Sequence, residues 1–185
     1  MWVIWVVLAI IVVLVIWTIA AYNRLIRQRN VVQESWRQVD VELSRRHDLI
    51  PNLVETVKGY AAHERGTFEA VTNARAAASS PNQSVAQQAT NENMLTGALR
   101  QLFAVAEQYP DLKANQNFLE LQRSLSETED RIAASRRFYN ANVRTFNTSI
   151  QSFPSNVVAG TFHFKEAEYF EADDPEVRAA PKVEF

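Results

Sequence analysis

The sequence predicts an all-α protein in which an N-terminal transmembrane helix leads into an antiparallel four-helix bundle. Three observations carry this. Residues 1–22 contain no charged side chain, and the first to appear is Arg24. Downstream, apolar residues recur at steps of three and four, the mark of helices with one buried stripe. Only four Gly and no Cys occur in 185 residues, alongside abundant Ala, Gln, Glu and Arg, which favours helix over sheet.

As a helix, the first 22 residues span roughly 33 Å, enough for a hydrocarbon core of about 30 Å. Many are β-branched and form helix weakly in water, but lipid offers the backbone no other hydrogen-bonding partner. Trp2 and Trp5 stand near one end, with Trp17 and Tyr22 at the other, as interfacial aromatic anchors do. A cleaved signal peptide wants a basic start, a shorter apolar core and a small-residue cleavage site. Here no basic residue precedes the core, and Ile19-Ala20-Ala21 is a poor site. Residues 1–23 therefore read as an uncleaved anchor. Arg24, Arg27 and Arg29 follow at once and are placed as lipid-headgroup contacts. The positive-inside rule then puts the N-terminus outside and the remaining domain in the cytoplasm, on a bacterial inner membrane crossed once.

The helical domain is expected over residues 24–153. Its first helix continues out of the anchor, with Leu25, Arg29, Val32, Trp36, Val39 and Leu43 on one stripe. Trp36 is assigned to the core, and the stem of Arg29 fills one place in the stripe. Pro51 interrupts this helix. A single bending helix would keep the stripe in phase through Ile50, Leu53 or Val54, Val57 and Tyr60. A turn is favoured on length, because an unbroken helix to Ser79 would lack a partner long enough to cover it. The second helix then runs through Phe68 and Val71 to Ala76-Ala77-Ala78, and Ser79-Ser80-Pro81-Asn82 is a loop. The third carries Val85, Ala89, Glu92, Leu95, Leu99, Leu102 and Ala106 and ends by Tyr109-Pro110-Asp111. The fourth starts near Asn115. Its stripe is the longest in the chain: Phe118, Leu121, Leu125, Thr128, Ile132, Ser135, Tyr139, Val143, Phe146 and Ile150. Sustained over more than four heptads, it reads as a coiled-coil-like seam until Phe153-Pro154 stops it.

With four alternating helices, the fourth ends beside the start of the first. Asn23 and Asn30 on one, and Asn140 and Asn147 on the other, are each seven apart; they could pair to fix register, but the simpler account is two surface pairs spaced by chance. Residues 154–185 form an acidic, aromatic-containing tail, partly disordered toward Ala179-Ala180-Pro181. From Phe153 onward three basic residues face seven acidic ones, net −4. Phe162, Phe164, Tyr169 and Phe170 either pack along the bundle or bind a partner. Phe162-His163-Phe164 alternates like a strand, but one strand has nothing to pair with.

The whole chain carries 19 basic and 21 acidic residues, net −2, which argues against nucleic acid as a partner. Without Cys there is no disulfide, thiolate nucleophile or Cys-ligated metal. Three His, at 47, 63 and 163, make a His-rich metal site improbable. His63-Glu64 lacks the second His of a zinc-protease motif, Thr67 standing in its place. Arg45-Arg46-His47-Asp48 could form an acid–base pair or an anion clamp. The simpler account is a solvated, ion-paired helix end in which Asp48 caps the next helix. No cofactor and no catalytic residue are assigned.

The run Arg45-Arg46-His47-Asp48-Leu49-Ile50-Pro51-Asn52, continued by Leu53-Val54-Glu55-Thr56-Val57-Lys58-Gly59-Tyr60, closely resembles the LemA family. So do Tyr22-Asn23 with Arg29-Asn30, Tyr109-Pro110-Asp111-Leu112-Lys113-Ala114-Asn115, and Arg136-Arg137-Phe138-Tyr139-Asn140. The family-motif positions are Arg45, Arg46, His47, Asp48, Pro51, Asn52 and Tyr60. The resemblance implies a membrane anchor and a four-helix domain, and the family includes a protein of magnetosome membranes. It carries no catalytic residue onto this chain. The reading is a non-catalytic scaffold at the lipid bilayer that self-associates or organises membrane partners. The alternative is a tethered adaptor, in signalling or envelope proteolysis, whose tail recruits a soluble partner.

Overall fold

A computed structural model describes residues 1–171 of the 185. The disorder expected around Ala179-Ala180-Pro181, and four of the tail's seven acidic residues, lie outside these. Among the described residues every regular element is a helix: α1 (Trp2–Lys58), α2 (Arg65–Ala78), α3 (Val85–Ala106), α4 (Pro110–Lys113), α5 (Gln116–Gln151) and α6 (Ser155–Thr161). The described residues divide into two compact units, Met1–Asp40 with Ala134–Glu168, and Val41–Ala133 with residues 169–171.

The expected turn at Pro51 is not there. α1 runs through it and ends at Lys58, so the stripe keeps its phase and Ile50, Leu53 and Val57 are all buried. The reason lies in one carbonyl. A helical residue 51 would donate its N–H to the carbonyl of His47, and proline has no N–H. Arg75 Nε of α2 donates to that carbonyl instead, at 2.7 Å. The fault in α1 is thus repaired by a side chain from another helix. Arg75→Ala should cost about 1–3 kcal/mol in urea unfolding, because the carbonyl loses its donor. In a Pro51→Ala background the restored N–H replaces it, and the same Arg75 change should cost much less.

In the second unit, Ile50, Leu53 and Val57 of α1 pack with Phe68, Val71 and Ala78 of α2 in a core completed by Leu95, Leu99, Leu102, Leu112, Phe118 and Leu125. Capping fixes the helix ends. Ser84 accepts from Gln87 N while the Gln87 side chain accepts from Ser84 N, a capping box at the start of α3. Asn115 Oδ1 accepts from Phe118 N to open α5, and its Nδ2 donates to Tyr60 Oη at 3.0 Å. The last carbonyls of α2 accept from amides that follow: Gln88 Nε2 reaches Ala78 O at 2.8 Å and Asn91 Nδ2 reaches Ala77 O at 3.2 Å. The short α4 and α6 were not expected from the sequence.

In the first unit, Leu25, Val32 and Val39 are buried, as are Tyr139, Val143 and Phe146. The rings of Trp36 and Tyr139 lie 5.2 Å apart. After α6, residues 164–168 return along α5 as a strap rather than a strand, with His163 in the left-handed region (φ 57°). Gln151 Nε2 donates to Glu166 Oε1 at 2.8 Å. Asn147 bonds both sides of Ala167, Nδ2 to O and Oδ1 from N, each at 2.9 Å. The side chain that could have paired with another asparagine is spent on this backbone instead. Tyr139 Oη donates to Glu168 O at 2.7 Å.

Burial, and secondarily the charge of Glu168, push the Tyr139 phenol up to about 12. Both causes favour the neutral phenol. Its contribution to folding is therefore intact below the ordinary tyrosine pKa of about 10 and is lost as pH rises toward about 12. Tyr139→Phe should lose about 1 kcal/mol near neutrality, and its stability should fall less steeply than the parent's between pH 10 and 12 in denaturant titrations.

Candidate functional site

Successive residues of a helix point about 100° apart. Along α1 this turns Arg46 and His47 inward, 2% and 8% exposed, and leaves Arg45 and Asp48 outside. The solvated helix end capped by Asp48 is therefore corrected. α1 does not end here, so Asp48 sits in mid-helix, where the backbone N–H groups are already bonded.

The inward pair meets Glu92 of α3, itself 4% exposed. Arg46 Nη1 donates to Glu92 Oε2 at 3.2 Å, and His47 Nε2 lies 2.8 Å from Glu92 Oε1. A carboxylate can only accept, so Nε2 carries its proton in either charge state of the ring. The other ring nitrogen, Nδ1, is 3.1 Å from Ser79 Oγ. Gln88 Nε2 also donates to Glu92 Oε1, at 2.9 Å. Arg46 Nη2 donates to Thr96 Oγ1 at 2.7 Å, and that hydroxyl in turn donates to Glu92 O. Arg46 Nε stands 3.0 Å from Glu129 Oε1 of α5, close enough to pair electrostatically but off the line of a hydrogen bond. Side chains of α1, α3 and α5 and the residue after α2 thus converge on one buried charge cluster.

Both ring nitrogens of His47 and both oxygens of Glu92 are occupied by protein groups. The arrangement acts as a lock between helices, since any incoming proton donor or anion would have to displace an internal partner. Taking such charges out of water is expensive, and the pair returns little net stability against an apolar substitute. The role this leaves for it to be tested is partner choice, since Arg46 and Glu92 neutralise each other only when these helices approach as they do here.

The other candidate residues are spread out. Trp2, Trp5 and Trp17 are 76%, 71% and 37% exposed, while the Tyr22 ring lies 4.7 Å from Phe162 and 5.8 Å from Phe164. Arg24 and Arg27 are exposed, and the Arg29 guanidinium stands 5.8 Å over the Phe164 ring. Arg45 and Asp48 line a surface groove of about 380 Å³ with Leu49, Ser124, Glu127 and Arg131. Pro51 and Asn52 are exposed, and Tyr60 is joined to Asn115. Phe170 is buried and Phe164 half-buried, whereas Phe162 and Tyr169 remain open to solvent. Among the described residues no group of three His, Cys, Asp or Glu is placed to hold a metal.

Sequence reasoning missed the partners of the lock: Glu92, Gln88, Thr96, Ser79 and Glu129. One signal was available. Glu92 occupies a core position in the apolar stripe of α3, and a carboxylate there calls for a buried cation.

The sequence model described as the LemA family matches residues 35–185. Magnetosome protein MamQ 2 of Paramagnetospirillum magneticum is 31% identical over 175 residues, covering 81% of this chain and 64% of that protein. Protein LemA of Metamycoplasma hominis is 29% identical over 157 residues, covering 83% and 70%. Magnetosome protein MamQ of Magnetospirillum gryphiswaldense is 28% identical over 174 residues, covering 80% and 64%. The chain therefore spans less than two thirds of the length of these MamQ relatives.

Proposed function

The chain belongs to the LemA family, and on that premise we propose that it is a membrane-anchored, non-catalytic scaffold. One observation carries the reading. α1 is a single helix whose first part is apolar and wholly unburied, with a mean hydropathy of 3.1 over 18 residues, while its last turns supply a helical core. An apolar face of that extent is stable when lipid covers it. The family and the magnetosome relatives agree with membrane association.

The helical domain is proposed to be an antiparallel bundle of α1, α2, α3 and α5. The pairs within the second unit support this. Arg46 of α1 meets Glu129 of α5, and Tyr60, just after α1, meets Asn115, just before α5, so fourteen residues forward on one side match fourteen back on the other. Its surfaces would bind a second copy or membrane-associated partners. A tail-borne recruitment site draws less support, because Phe164 and Phe170 are packed within the chain. A cytoplasmic position for the domain is part of this reading, and the basic Arg24, Arg27 and Arg29 just after the apolar segment support it.

Two experiments test this. Full-length protein in mild detergent should sediment as an oligomer, or cross-link to membrane partners in cells. Strictly monomeric behaviour at micromolar concentration with no partner recovered would overturn the scaffold. The chain lacks Cys, so one Cys at exposed Gln101 reports topology. Protection from an impermeant maleimide until lysis is expected, and labelling of intact cells would reverse the orientation.

A further inference from the structure

We propose that residues 153–162, comprising α6 and its flanking phenylalanines, form a second lipid-contacting surface lying in the bilayer interface beside the apolar part of α1. This rests on the anchor reading above and adds a surface that the anchor itself does not supply.

Three large apolar side chains in this short segment face outward: Phe153, Val157 and Phe162, at 82%, 59% and 50% exposed. Val158 and Ala159, between them, are buried. The segment thus buries its middle and leaves three large apolar side chains open to solvent within ten residues, more than a single exposed hydrophobe.

Its depth follows from contacts inside the first unit. Trp36 meets Tyr139, and Arg29 and Phe146 both meet Phe164, at 5.8 and 6.4 Å. Seven residues back along α1 correspond to seven residues forward along α5. From Phe146, α5 runs five more residues to Gln151, about 7.5 Å, while Tyr22 lies about 10.5 Å before Arg29. α5 therefore ends about 3 Å short of the level of Tyr22, and α6 follows there. The Phe162 ring confirms this level directly, 4.7 Å from that of Tyr22. Tyr22 is the last aromatic residue before charge begins at Arg24, and Arg24, Arg27 and Lys165 are all exposed nearby in sequence or strap. Apolar side chains aimed outward at the end of an apolar span, with basic groups beside them, suit acyl chains below and anionic headgroups above.

The test uses the full chain, which has no native Cys. Single Cys variants Val157→Cys, Ile11→Cys and Gln101→Cys carry a bimane label and are reconstituted in phosphatidylcholine–phosphatidylglycerol vesicles. Half the samples contain lipid bearing a nitroxide on the acyl chain. The labels at Val157 and Ile11 should both lose most of their fluorescence to the nitroxide, and the label at Gln101 should keep it. Adding Phe153→Ser and Phe162→Ser should release the Val157 label from quenching. If Ile11 is quenched and Val157 is not, the anchor stands and this surface belongs to something other than lipid, such as a protein partner. If Ile11 also escapes quenching, the anchor reading falls and this inference with it.

Discussion

Glu92→Ala should destabilise the protein by about 3–5 kcal/mol, the largest loss expected from a polar substitution in this chain. The magnitude comes from what remains. Arg46 is always charged and its side chain is 3% exposed, so removing Glu92 leaves it with Glu129, 42% exposed, and the Thr96 hydroxyl. His47 loses its carboxylate as well. The signature is in the comparison. Arg46→Met combined with Glu92→Leu removes both charges and should cost far less than either single truncation. Urea unfolding followed by circular dichroism, with the full chain held in detergent, reads both. If the double change is as damaging as the single one, the lock supplies net attraction rather than partner choice, and that assignment of its role fails.

Leu102→Ala should cost about 2–5 kcal/mol in the same assay. Leu102 is fully buried in α3 among Leu99, Ala106 and the aromatic pair Phe103 and Phe118, whose rings lie 6.4 Å apart. Deleting its branch removes transfer free energy and leaves a cavity that packed helices close only in part. Met94, on the same helix but 59% exposed, is the control, and Met94→Ala should stay within about 0.5 kcal/mol. A small loss at Leu102 would mean that the core collapses around the gap.

Much of the helical order was legible because periodic burial is a local property. Every stripe residue named for the fourth helix, from Phe118 to Ile150, is buried or half-buried in α5. The bounds of α3 were legible from Val85 and Ala106. What escaped depended on contacts distant in sequence. Pro51 reads as a break in any local account, since the donor that repairs the helix is Arg75, 28 residues from the carbonyl it serves. The buried lock was hidden for the same reason: Arg46 and His47 look like a solvated run until Glu92, 45 residues beyond His47, is brought alongside. The strap was missed because Asn147 and Tyr139 bond backbone atoms of Ala167 and Glu168, which side-chain patterns do not reveal.

The shared carbonyl of His47 also sets an order of events during synthesis. A helix continuing out of the apolar segment can wind unaided as far as its backbone supplies its own donors, which here means up to the turn that Pro51 leaves open. That turn has no partner until Arg75 has been made and α2 has formed. The open turn of α1 is therefore closed by a later part of the chain. A nascent protein halted between Pro51 and Arg75 would carry its apolar segment complete and its helical domain unlatched.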